Sequence, residues 1–161
     1  EHSVDRVYQA VVTGTAGIGI VRGRLVRDRG DGLRGSTTSE TEGKAAVTHV
    51  ESVEALGLYS LVSCRLETGR THQIRIHLAE QEHPVCGDVM YRGLFGSGTV
   101  PDESRVPRLA LHARLLAFDH PESGQRLSFE SDLPADLAVF VDGLRSAAAS
   151  HNDKNKETGD S

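Results

Sequence analysis

Thr71-His72-Gln73-Ile74-Arg75-Ile76-His77-Leu78-Ala79-Glu80-Gln81 is the stretch on which the fold class turns. It holds no glycine or proline. Ile74, Leu78 and Gln81 fall on one stripe with Ile76 and Ala79 beside them, a spacing that predicts a short helix. Thr68 or Thr71 stands where a cap belongs, and His83-Pro84 ends the run. On either side the pattern is that of strands. Upstream, Ala45–Val53 and Leu58–Leu66 predict a hairpin turning at Leu56-Gly57, preceded by strands over Arg6–Val12 and Ile20–Val26. Downstream, Leu109–Phe118 predicts a buried strand, His120–Gly124 a turn and Gln125–Phe129 the returning strand. Pro134 opens a last helix, Ala135–Leu144. Asp28–Gly43 is rich in Gly, Ser and Thr and predicts a mobile loop; 92–107 predicts a second loop. The inventory is that of an α+β domain over residues 1–145, a mixed and mostly antiparallel sheet flanked by helices. A disordered tail is expected over 146–161.

Composition sets the bounds. The chain has 161 residues, 37% apolar and only 4% aromatic, so one domain with a modest core of Val, Leu, Ile and Ala is expected. No apolar run approaches the roughly 20 residues of a membrane-crossing helix. Two cysteines, Cys64 and Cys86, are too few for a disulfide framework or a zinc ribbon. No leader pattern opens the sequence, so a cytoplasmic setting is expected. The net charge of −5 argues at first against a nucleic-acid partner. Locally, however, Arg22, Arg24, Arg27, Arg29 and Arg34 face only Asp28 and Asp31 in sequence, and phosphate responds to the local field. These arginines, with Arg70, are the expected determinants of any RNA affinity.

Most catalytic patterns are absent. His72 and His77 are five apart, roughly 140° round a helix, and cannot pinch one ion as an i, i+4 pair does. Structural roles are expected for these and for His83, His112 and His120, with no metal. Nothing marks Cys86 as an activated nucleophile, and the glycines at 14, 17 and 19 lack the dinucleotide-binding order. Asp88 could serve as a general acid or base, although a turn aspartate bonding local backbone is the commoner role. The densest cluster is Glu67–His77. There Arg70, Arg75 and side-chain donors surround a strand-to-helix switch, the arrangement of a phosphate receptor. The plainer alternative for Arg75 is an exposed arginine on a helix surface.

The string Leu66-Glu67-Thr68-Gly69-Arg70-Thr71-His72-Gln73-Ile74-Arg75 resembles the signature of RluA-type pseudouridine synthases, which isomerise uridines in RNA. The resemblance continues through His83-Pro84-Val85, Gly87-Asp88 and Tyr91, then Arg108–Ala113, Phe118–Pro121, Gly124 and Leu133-Pro134. Upstream it takes in Arg6–Ala10 and Lys44–Thr48, and it spans roughly residues 4–145 in order. It implies a sheet with an RNA-binding cleft, Tyr8 stacking on a flipped-out uracil, and Arg75 pairing with a catalytic aspartate. It also implies Arg70 and Leu111 at the substrate and no metal or organic cofactor.

One motif does not match. The family's nucleophilic aspartate lies in a His-Arg-Leu-Asp stretch upstream of the tyrosine strand, and this chain contains none. Asp5 lacks the flanking motif. The expectation is therefore the C-terminal part of a catalytic domain, lacking its N-terminal part and inactive alone. Its expected partner is rRNA or tRNA, and the chain is expected to be a monomer. The alternatives are a non-catalytic RNA-binding module and a small α+β protein with no RNA role.

Overall fold

A computed structural model describes residues 4–92 and 102–157, with the side chains of 152–157 excepted. Seven strands and two helices follow one another: β1 (Val4–Thr13), β2 (Gly19–Val26), β3 (Gly35–Thr37), β4 (Lys44–Leu56), β5 (Tyr59–Leu66), α1 (Gln73–Glu80), β6 (Leu111–Asp119), β7 (Arg126–Glu130) and α2 (Ala135–Glu157). The strands form one sheet in the order β3-β2-β4-β5-β1-β6-β7, every neighbour antiparallel. The expected hairpin is β4–β5. Gly57, at φ 71°, supplies the left-handed turn that a side chain would resist.

Pleating sorts the side chains onto two faces. Val62, Cys64 and Leu66 of β5 share a face with their partners Ala10 and Tyr8 on β1 and Val50 and Thr48 on β4. Helix α1 covers this face, because Gln73 Nε2 and His77 Nδ1 both bond the Thr48 hydroxyl, at 3.0 and 2.9 Å. Ile74 and Leu78 enter the main core, while Ile76 and Ala79 join Leu25, Ala46 and Tyr91 in a second cluster. Helix α2 lies on the other face, where Leu137 and Val141 gather about Val11 and Leu61.

Three expectations need correcting. Neither Thr68 nor Thr71 caps α1: His72 is the N-cap, in a left-handed conformation at φ 59°, and no side chain bonds the helix start. Thr68 instead accepts the Val47 N–H and donates to Gln73 Oε1, tying the 67–72 turn to β4. The loop expected over Asp28–Gly43 is built rather than loose. Asp28 Oδ1 accepts the N–H groups of Gly30 and Gly32, and Gly35–Thr37 pairs with β2. Glu80 then clasps Ser36 through its N–H and hydroxyl, at 3.0 and 2.7 Å. Finally, the last helix does not end at Leu144. It runs to Glu157 through the segment expected to be a disordered tail. Ala147–Ala149 favour helix, Arg145 is held by Glu54 at 2.6 and 2.8 Å, and Ala147, Ala148 and His151 face the β4–β5 turn. Much of the loop expected over 92–107 lies outside the described residues.

Candidate active site and a basic cleft beside it

The site is assembled where β6 leaves the β1 edge. Pro84–Cys86 takes its place: Val85 bridges to Val12, and the Cys86 N–H donates to the Val11 carbonyl at 2.8 Å. Gly87 turns the chain at φ 79°, and a Cβ there would stand 2.6 Å from the Arg108 carbonyl oxygen. This sharp turn delivers Asp88 into the interior, where it is 1% exposed. Its Oδ1 accepts the N–H groups of Met90 and Tyr91, at 2.9 and 3.0 Å. The turn-aspartate reading therefore holds, yet it is incomplete. Arg75 reaches the same carboxylate with two bonds, Nε to Oδ2 at 2.6 Å and Nη2 to Oδ1 at 2.9 Å.

Arg75 is thus no exposed surface arginine. Its side chain is 15% exposed, and its guanidinium carbon lies 4.9 Å from the Tyr91 ring centroid, a cation–π distance. The Tyr91 hydroxyl is hydrogen-bonded to His72 Nδ1 at 2.8 Å, which accounts for the left-handed His72 at the helix start. Burial pushes the Asp88 carboxyl up, but the Arg75 guanidinium and the Tyr91 and Met90 N–H groups outweigh it and leave its pKa below the ordinary value. Burial, with Arg75 and Arg34 nearby, holds His72 below the usual imidazole range. The resemblance implied that Arg75 pairs with an aspartate of the missing motif. In the structure its partner is Asp88, which engages Nε and Nη2 and leaves Nη1 without an acceptor among the described residues.

Tyr8 and Leu111 come together. Tyr8 is registered with Ala113, and Ala10 with Leu111, so both side chains occupy the face that α1 covers, half-buried against the main core. Arg70 stands apart from them. It is exposed, its Nε bonds the Ala45 carbonyl at 3.0 Å, and it lines an open cleft of about 590 Å³. The other walls are Leu25, Val26, Arg27, Arg34, Gly43, Lys44, Gly69 and Thr71, with no carboxylate among them.

The arginines grouped in the sequence are divided by the fold. Gly23 and Leu25 face α1, so Arg22 and Arg24 point to the opposite side, and Arg24 is tied to the carbonyls of Glu42 and Gly43. Arg29 is bound by Asp31. Arg27, Arg34 and Arg70 remain at the cleft, joined by Lys44, which sequence reasoning singled out only as part of a motif. The signal that could have found the Asp88–Tyr91 arrangement is the Gly87-Asp88-x-x-Tyr91 spacing itself, since an aspartate accepting the N–H groups two and three residues on turns its other oxygen inward.

The remaining candidates have structural partners. His77 is fully buried on Thr48, His83 Nδ1 bonds the Thr13 carbonyl, and His112 Nε2 bonds the Ser131 carbonyl. Burial pushes the Cys64 and Cys86 thiols up to about 12, so neither is a ready nucleophile.

The family profile for RNA pseudouridylate synthase matches residues 1–80. Ribosomal large subunit pseudouridine synthase D of Neisseria meningitidis serogroup A is 41% identical over 151 residues, covering 90% of this chain and 40% of the relative. The chain belongs to the RNA pseudouridylate synthase family. An RNA pseudouridine synthase of Bacillus subtilis strain 168 is likewise 41% identical, over 145 residues, covering 89% of this chain and 45% of its own. This chain therefore spans less than half the length of these relatives. In fold, it matches human RNA pseudouridylate synthase domain containing 4 with a TM-score of 0.68, over 88% of this chain and 62% of that one, at 23% identity.

Proposed function

We propose that this chain carries part of the catalytic site of an enzyme that isomerises uridine to pseudouridine in RNA, with ribosomal RNA as the substrate. The relatives' names support the RNA class, and one structural observation carries the reading. A half-buried, doubly bonded Arg75, whose Nη1 has no acceptor among the described residues, stands on the sheet face that also holds Tyr8 and Leu111. A guanidinium fixed in this way keeps its charge and offers its remaining edge to a carboxylate. Tyr8 supplies a stacking face for the detached base, and Leu111 an apolar wall beside it. These residues contain no His-Arg-Leu-Asp stretch to supply the aspartate that handles the uracil–ribose linkage, so residues 1–161 alone should release no tritium from uridine-labelled RNA.

The test uses the protein extended to the length of its relatives. Arg75→Met should nearly abolish tritium release while Arg75→Lys retains part of it, because charge beside the nucleophile is the essential element. Tyr8→Phe should retain more activity than Tyr8→Leu, because the ring survives. Near-normal turnover by a folded Arg75→Met protein removes Arg75 from the mechanism. A non-catalytic RNA-binding module is the second reading, favoured by the absence of a His-Arg-Leu-Asp stretch, and it predicts RNA binding without turnover at any length.

A further inference from the structure

We propose that the cleft between the β2–β3 loop and the 69–71 turn is a phosphodiester subsite, in which Arg27, Arg34, Lys44 and Arg70 receive a backbone phosphate of the RNA. The inference rests on the reading of this protein as RNA-directed, and it names where the strand is held.

The pairing of charges points to this cleft. In a chain of net charge −5, acidic groups are plentiful. Arg65, Arg75, Arg108, Arg114, Arg126 and Arg145 each have a carboxylate partner. Arg27, Arg34 and Lys44 have none among the described residues, and Arg70 bonds only a backbone carbonyl. Four cations gathered around one open volume repel one another unless an anion enters. A phosphate matches such a site, because guanidinium forks and an ammonium surround its oxygens from several directions.

The site is also held in shape. Asp28 fixes the turn that presents Arg34, and Glu80 anchors the following strand through Ser36. Gly43, at φ 70°, packs on the Leu25 carbonyl, where a Cβ would stand 2.8 Å from the oxygen. Gly69 lies against the Arg6 guanidinium, with which a Cβ would collide. Both glycines line the cleft. The 69–71 wall also leads into α1, whose first turn contains no acidic residue and has no side-chain cap, so the positive helix end adds to the field.

The cleft is also continuous with the Arg75 arrangement: Thr71 lines it, and the next residue, His72, bonds the hydroxyl of Tyr91, whose ring lies beside Arg75. A strand held here by a phosphate can present a neighbouring nucleotide to Arg75.

The experiment measures binding of a uridine-containing RNA hairpin by fluorescence anisotropy as a function of KCl. Compared with wild type, Arg34→Gln/Lys44→Gln should weaken binding and reduce the slope of log affinity against log salt by about 0.7 to 0.9, one phosphate's worth of counterion release. Arg34→Lys/Lys44→Arg should restore most of the slope. Arg22→Gln, on the opposite face, should leave it unchanged. RNA bound with an unchanged slope in the double variant overturns the subsite and leaves the RNA reading intact. A second arm titrates inorganic phosphate and follows the amide resonances of Gly43 and Gly69. Shifts that saturate in wild type and vanish in the double variant, without RNA binding, uphold the anion site and overturn its RNA assignment. No shift together with no RNA binding overturns both.

Discussion

The α1 side of the sheet holds two clusters of positive charge that are solved in opposite ways. Around Arg75 the charge is matched: Asp88, 1% exposed, spends both oxygens on the guanidinium and on two backbone N–H groups, and the Tyr91 ring lies alongside. At the cleft, Arg27 and Lys44 are exposed and Arg34 is half-buried, with no carboxylate partner among the described residues. A charge out of water must be paired within the fold, whereas a charge in water can wait for a ligand. The first cluster therefore serves position and stability, and the second serves binding. Substitutions should separate them.

The largest effect is expected at Asp88. Asp88→Asn leaves the half-sequestered guanidinium without its counter-charge, and breaking a buried pair from one side costs about 3–5 kcal/mol. Because the Arg75 side chain retains 15% exposure, the lower end, about 3 kcal/mol, is expected by urea unfolding. Adding Arg75→Met should recover part of the loss by removing the stranded charge. A loss below about 1 kcal/mol for Asp88→Asn would show that the pair is solvated and that the contrast with the cleft is false.

Proton titration sharpens the same contrast. His77 is fully buried, and burial lowers its pKa from 6.5 to about 4. Well above pH 6.5 it is neutral in both the folded and unfolded states and contributes no pH dependence. As the pH falls from 6.5 toward 4, the unfolded chain takes up a proton that the folded chain refuses, so stability declines by up to about 3 kcal/mol and then levels off. His72, also lowered, adds to the decline in the same direction. The urea midpoint followed across this range should fall, and His77→Gln should flatten much of the slope. Substitution of the cleft's arginines and lysine should shift the curve without changing its shape.

What the sequence made legible follows the same division. The β1 and β2 strands and the β4–β5 and β6–β7 hairpins could be read because alternation and turn residues are local signals. Arg75, Tyr8, Arg70 and Leu111 could be named through their motifs. The pairing of Arg75 with Asp88 could not, since it joins a helix to a turn thirteen residues on through a bridge at Val12. The built shape of the 28–43 loop was hidden because its anchors are a carboxylate on backbone N–H groups and Glu80 on Ser36, neither of which leaves an apolar pattern. The length of α2 was misread because a polar composition suggested disorder, while the alanines and the Arg145–Glu54 pair favour continuing the helix.

The smallest expected effect is also the most diagnostic of the cleft. Arg34→Gln removes a charge that makes no ion pair among the described residues, so its effect on stability should stay within about 0.5 kcal/mol. Its sign distinguishes the two clusters. If Arg34, Arg27, Lys44 and Arg70 repel one another in the empty protein, neutralising one of them relieves strain, and the variant should be slightly more stable than wild type at low salt. The Debye length shrinks from about 30 Å at 0.01 M to about 3 Å at 1 M, so the gain should disappear as KCl is added. Thermal melts of the two proteins at both ends of that range decide the matter. A variant less stable than wild type at low salt, by the amount expected for a lost ion pair, would mean that Arg34 is satisfied within the fold like Arg75, and the cleft would lose its claim on phosphate.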